Sequence, residues 1–312
     1  MSQILKYKIN QIHNLKMALR VDDPGISRVL AKPLGKRQWH REPEFMDVLA
    51  DNILPEDVFL DIGCNIGYVS LYVLSRLSNS GALYAVEPDP SNIKAFQTSL
   101  SMNSSLSELV KSCDQLALSD FIGESEFELS EKSNLHRLKQ GSLGFQSLRS
   151  IKVPVTTFDE YFRDKKYPTF IKMDVEGAEL SVFRGMKKFL ETDHPCKILL
   201  ELHPDYYRLS PEDSHAAFKL LFDHGFRVDT FASASLAEPK PLLDKGYYPF
   251  EKYKTGSWGR GLYRNVKTED FMDFVLNNSE FAIKLNWRDA IKQRRMRIQT
   301  SKIARAALLI KT

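Results

Sequence analysis

Two carboxylates, Asp61 in the run LDIGCNIGYVS and Glu87 in VEPDP, stand 26 positions apart across an apolar run, a glycine turn and a second apolar run. Asp61 precedes Gly63 and Gly67, where backbone can pass close to a ligand. A dinucleotide turn would need G-x-G-x-x-G, but Asn65 and Tyr68 occupy its second and third glycine positions. A carboxylate there also repels the phosphate that a helix N-terminus attracts. S-adenosylmethionine reverses that objection, because it carries an ammonium and a sulfonium and no phosphate. Glu87 is placed to accept hydrogen bonds from two ribose hydroxyls. The competing explanation is that Asp61 or Asn65 caps a helix and Glu87 lies on a surface turn.

A second set of residues suits the reacting end of such a site. Asp174 closes the run FIKMD, and ligands of an open parallel sheet gather beyond the carboxyl ends of its strands. It is therefore expected to face the methyl donor, with Gly177 turning the chain into the next helix. Glu176 and Glu179 lie near that helix start, where interaction with the helix dipole is the simpler role, the one preferred for Glu179. His203 ends the run KILLELH on the same face as Glu201, which makes it the candidate base for a hydroxyl; a structural histidine before Pro204 is the alternative. Methyl transfer is an in-line displacement, so alignment and exclusion of water carry much of the catalysis. Asp174, Glu176 and Glu201 offer oxygen ligands for Mg²⁺, yet the reading adopted is catalysis without a metal.

These residues need a scaffold that places strand ends side by side. The apolar runs 58–63, 82–88, 169–175 and 197–203 alternate with helix candidates at 67–77, 91–102 and 178–190, the rhythm of βαβ units in an α/β fold. GESEFELSE (123–131) alternates apolar and acidic residues and is expected to be an antiparallel strand beside the one ending at ALSD (117–120). Residues 137–150 read as loop and 151–162 as strand then helix. The runs 226–231 and 259–266 are expected to be the last strands. Residues 1–50 form a lead-in with DDPG (22–25) as a turn between two short helices, followed by a main domain at 51–267 and an extension at 268–312.

The chain has 312 residues, 43% hydrophobic and 27% charged, an ordinary globular composition. No run approaches the length of a membrane span, and the polar start lacks a secretory h-region, so a cytoplasmic protein is expected. Three cysteines without a C-x-x-C pair suggest neither a disulfide framework nor a zinc knuckle. Residues 284–312 carry nine Lys/Arg against Asp289, which leaves the body mildly acidic within a total of +4. This basic tail is expected to be helical, with Ile303, Ala307 and Ile310 on one face. It suits oligomer packing, a peripheral contact with anionic membrane lipid, or nucleic acid.

DIGCNIG, VEPDP, ALSD and above all IKMDVEGAELSVFRG (171–185) followed by LLELHP (199–204) resemble the FkbM-type methyltransferases, class I enzymes that use S-adenosylmethionine. The resemblance spans about 42–204 and departs from the family at Cys64, where alanine is usual; a small thiol should fit there. It implies a Rossmann-like seven-stranded sheet with a final antiparallel strand, suited by 259–266. By position, it implies that Asp61, Gly63, Asn65 and Gly67 surround the methionine part, that Glu87 holds the ribose, and that Leu118 and Ser119 lie near the adenine. Family substrates imply O-methylation of a hydroxyl on a glycan, glycolipid or related metabolite. Without a [DN]-P-P-[YF] motif, and with an acidic body, a nucleic-acid substrate is the weaker reading. A NAD-type oxidoreductase and a non-catalytic binding scaffold are the other classes kept open.

Overall fold

A computed structural model describes residues 6–12, 14–35, 37–130, 136–138, 149–255, 258–277 and 303–312. The chain opens with an antiparallel hairpin, β1 (Tyr7–Ile12) and β2 (Leu15–Arg20). Three strands follow, β3 (Val58–Ile62), β4 (Ala82–Val86) and β5 (Val110–Asp114). A smaller group comprises β6 (Ala117–Ser119), β7 (Gly123–Leu129), β8 (Arg137–Leu138) and β9 (Arg149–Thr157). Then come β10 (Phe170–Met173), β11 (Cys196–Glu201), β12 (Arg227–Ser233), β13 (Glu251–Thr255), β14 (Trp258–Arg264) and β15 (Ala304–Lys311).

The main sheet runs β13-β14-β12-β15-β11-β10-β3-β4-β5. Its centre is parallel, β11 to β10 to β3 to β4 to β5, because helices cross over between these strands. Every residue of β3 and β10 is buried, as expected of strands covered on both faces. Leu60, Ile62, Ile171 and Met173 join one apolar core, and Phe59, Leu83 and Phe170 another on the opposite face. Two register partners break the apolar pattern: Asp61 stands opposite Lys172.

Helices at Tyr68–Leu74 and Pro90–Ser101 fall where the sequence places them. The second starts cleanly because Pro90 follows Asp89, whose side chain accepts from the Ser91 amide. The expected helix 178–190 divides into Glu179–Arg184 and Lys187–Leu190 around Gly185, where a Cβ would overlap the Ser119 carbonyl oxygen.

Several expectations are corrected. Among the described residues the main sheet has nine strands, where seven were expected. The antiparallel strand inserted between β11 and β12 is β15, and the 259–266 run instead forms β14 beyond β12. Residues 304–311 are thus strand, not helix, so the extension 268–312 returns into the main domain; the helix expected over the rest of the basic tail, up to residue 302, lies outside the described residues. Within β15, Ala307 is buried and Ile310 is half-buried, but Ile303 precedes the strand, so the expected helical face does not exist. The lead-in begins with a hairpin where a helix was expected, and after the DDPG turn Ile26–Leu30 and Pro43–Asn52 are helical. β7 pairs with β9 and β8, not with β6, which pairs with β9 in parallel. Of the expected loop 137–150, residues 137–138 form β8, 149–150 begin β9, and the rest lies outside the described residues. No described helix is long and apolar enough to cross a membrane.

Candidate active site

The carboxyl ends of β3, β4, β10 and β11 open onto a cleft. Gly63, Asn65, Glu87, Leu118, Asp174 and Glu176 all line it, which brings together six of the residues singled out from the sequence. Asp61, Gly67, Ser119 and His203 do not line it, and each has a different reason.

Asp61 is fully buried beneath the turn. Ser70 Oγ donates to its Oδ2 at 2.6 Å, and Lys172 Nζ lies 3.0 Å from its Oδ1. Burial alone would depress the Lys172 ammonium, but Asp61 and then Asp174 override it and hold the proton above the usual lysine range. Lys172 also donates to the Gly63 carbonyl at 2.7 Å. The expected direct attraction between Asp61 and a cationic ligand is therefore corrected: its charge is compensated by Lys172, and the pair braces the turn. Gly67 starts the helix Tyr68–Leu74 in the left-handed conformation, φ 83°. Ser119 is buried, with its hydroxyl donating to Asp120 at 3.3 Å.

Gly63 has φ 74°, and a Cβ there would overlap the Asp174 carbonyl oxygen. Gly63→Ala is expected to cost more than about 2 kcal/mol, from left-handed strain plus main-chain overlap. A thermal melt unchanged from wild type would contradict this packing.

One end of the cleft is apolar around a single carboxylate. Val86, Pro88, Leu116 and Leu118 form one apolar wall, and Phe127 and Leu138 from β7 and β8 supply another. Between them, Glu87 accepts the Asn65 amide on Oε2 and the Asp89 amide on Oε1, both at 2.9 Å. Each carboxylate oxygen keeps a lone pair for a hydroxyl donor. Burial and the charge of Asp89 push the Glu87 carboxyl up to about 7. His136, whose Nδ1 lies 3.2 Å from Asp89 Oδ2, pins β8 to this end.

The other end is anionic. His203 is 6% exposed, and its Nδ1 donates to Glu179 Oε1 at 2.8 Å. Its Nε2 lies 3.4 Å from Glu176 and 3.9 Å from both Asp174 and Glu201. Burial alone would lower the imidazole, but Glu179, Glu176 and Glu201 override it and raise it to about 10. The position of His203 does not suit the expected base role: it does not line the cleft, and its Nδ1 is committed to Glu179. Burial, reinforced by Glu176 against the pull of Lys172, raises the Asp174 carboxyl; burial, opposed by His203, raises that of Glu176. Glu179, buried, accepts His203, Tyr207 and the amides of Val175 and Gly177, a firmer role than dipole interaction alone.

Further lining comes from segments that the sequence reading left aside. Arg41 and Glu42 of the lead-in reach the anionic end, with Arg41 Nε 2.8 Å from Glu42. Arg305 of β15 pairs with Glu201 and lies 2.6 Å from Glu42. Both chain ends therefore complete one charged corner. Only Lys172 had a signal in the sequence, a lone cation inside an otherwise apolar strand.

The family model described as the Methyltransferase FkbM domain matches residues 61–228, more than half of the chain. No curated protein matches the sequence. Among solved structures, M. jannaschii TYW2 in complex with AdoMet is similar at 12% identity and TM-score 0.38, covering 85% of this chain and 90% of that one. Precorrin-6y C5,15-methyltransferase from Geobacter metallireducens is similar at 15% identity and TM-score 0.38, covering 75% of this chain and 90% of that one.

Proposed function

Because this chain belongs to the FkbM methyltransferase family, whose members use S-adenosylmethionine, we propose that it O-methylates a hydroxyl of a glycan, glycolipid or related metabolite. The observation that carries this reading is the pair of proton-seeking carboxylates, Asp174 and Glu176, in the cleft wall at the end away from Glu87. A hydroxyl is a poor nucleophile until its proton has somewhere to go, and general base assistance contributes roughly 100- to 10,000-fold. The cofactor supplies a methyl group made electrophilic by its sulfonium. Glu87 and the apolar slot bind and orient the nucleoside part, β7 and β8 keep water from it, and Asp174 takes the hydroxyl proton. The acidic body argues against a phosphate-rich acceptor.

Mass spectrometry of glycans incubated with the protein and S-adenosylmethionine tests the acceptor. Methyl groups on hydroxyl oxygens are expected; methylation confined to nitrogen, carbon or RNA would refute the oxygen reading.

Glu87→Gln is expected to weaken S-adenosylmethionine binding roughly ten- to a hundredfold, through loss of about 1.5–3 kcal/mol of charge-assisted hydrogen bonding. With its carboxyl raised to about 7, Glu87 gains its accepting charge as pH rises through neutrality. Wild-type affinity should therefore increase from pH 6 to pH 8, and the variant should lose that increase. Calorimetry at the two pH values reads both effects.

A further inference from the structure

We propose that Asp174, Glu176 and His203 form a binding site for one divalent cation at the anionic end of the cleft. One ligand atom from each of the three residues lies within 4.8 Å of the others, at the carboxyl ends of two adjacent strands. Ligands held about 2.1 Å from a common ion stand about 3.0 Å apart when adjacent and about 4.2 Å when opposite in octahedral geometry. The separations from His203 Nε2, 3.4 Å to Glu176 and 3.9 Å to Asp174, fall in that interval.

The surroundings of His203 supply a second, separate observation. A metal-binding imidazole is normally oriented by a carboxylate on its other nitrogen. Here Nδ1 donates to Glu179 Oε1 at 2.8 Å, which directs Nε2 toward Asp174 and Glu176. Glu179 is itself fixed, with Tyr207 donating to its Oε2 at 3.1 Å and the Gly177 amide to its Oε1 at 3.2 Å. Nε2 meets carboxylate oxygens only at 3.4 Å or beyond, and four carboxylates surround the one ring. The loop carrying two of the ligands is held in an uncommon conformation, with Glu176 at φ 50°. Glu201, the third oxygen donor considered from the sequence, is engaged by Arg305, so His203 replaces it.

One nitrogen and two carboxylate ligands favour a cation of borderline hardness such as Mn²⁺ or Zn²⁺, which takes the place of the proton on His203 Nε2 and releases it to solvent on binding. This inference deepens the O-methylation reading: an ion there would lower the pKa of a bound hydroxyl. It rests on that reading for the ion's purpose but not for its binding.

The test uses the full chain after chelation and dialysis, titrated with Mn²⁺ and followed by the electron paramagnetic resonance of free Mn²⁺, with Zn²⁺ as competitor. One ion per chain is expected, Zn²⁺ should displace it, and a rise in Tm should accompany binding. Glu176→Gln and His203→Gln should each weaken binding at least tenfold, on the scale of lost ligands and their supports. Absence of stoichiometric binding below about 1 mM in the wild-type chain would overturn the proposal. So would wild-type affinity in both variants. S-adenosylmethionine calorimetry on the same samples reports folding and cofactor binding separately, so a failed metal site and a failed methyltransferase reading give different results.

Discussion

A chain ending at residue 302 is expected not to fold. β15 lies in the sheet interior, antiparallel to β11 on one side and to β12 on the other, with six register pairs in each ladder. Its removal exposes two facing strand edges whose backbone groups have no other partners of equal quality. Leu308 and Leu309 are fully buried and point to opposite faces, Leu308 into the core around Phe59 and Phe170 and Leu309 into the core around Ile171 and Phe231. Burying each leucine contributes about 1.5–3 kcal/mol, and the remaining strand residues add to that. The total approaches the whole stability of an ordinary domain, about 5–15 kcal/mol. Circular dichroism and size exclusion should show a chain without a cooperative melt. A truncated protein that melts cooperatively and binds S-adenosylmethionine would refute the central place of β15. Leu308→Ala and Leu309→Ala give the graded version, each expected to cost about 2–5 kcal/mol while leaving a folded chain.

That strand also marks where the sequence was hard to read. ARAALLIK has strong helix propensity, and nothing local opposes a helix. It becomes a strand because β11 and β12 leave a gap that only an antiparallel partner fills, a demand made by residues roughly a hundred positions away. The parallel runs around Asp61, Glu87 and Asp174 were legible for the opposite reason. Both faces of each strand are covered, so the apolar run itself specifies the element, and the strand ends specify the cleft. The parallel pairing of β6 with β9, with β7 and β8 between them in the chain, left no mark in either segment. Asp61 was misread through its surroundings rather than its position. A carboxylate at a strand tip attracts a cation only while its charge is uncompensated, and the compensating Lys172 lies on the neighbouring strand, 111 positions on. His203 was misread in the same way: its strand face was legible, but the four carboxylates around it come from the loop after β10, the helix that follows it and the end of β11.

Asp174→Asn is expected to lower turnover by about 100- to 10,000-fold while leaving S-adenosylmethionine affinity close to wild type. The amide keeps the shape and cannot take a proton. The backbone bond from the Asp174 amide to the Ile62 carbonyl, 3.2 Å, does not involve the side chain, so the turn should stay in place. Stability should move the other way. Burial and Glu176 raise the Asp174 carboxyl, so the folded chain holds the charged form less comfortably than the unfolded chain does. A carboxyl raised on folding favours the folded state at low pH and weakens it as pH increases past the unfolded value. Above that value the neutral amide removes the repulsion toward Glu176, at the expense of the attraction to Lys172, and the Tm of the variant should hold or rise. Loss of rate together with retained or increased stability separates a reacting group from a structural one, since functional sites keep charges that folding alone would discard. Single-turnover kinetics and a melt on the same sample decide it: wild-type turnover would remove Asp174 from the chemistry, and a collapsed Tm would make it part of the scaffold.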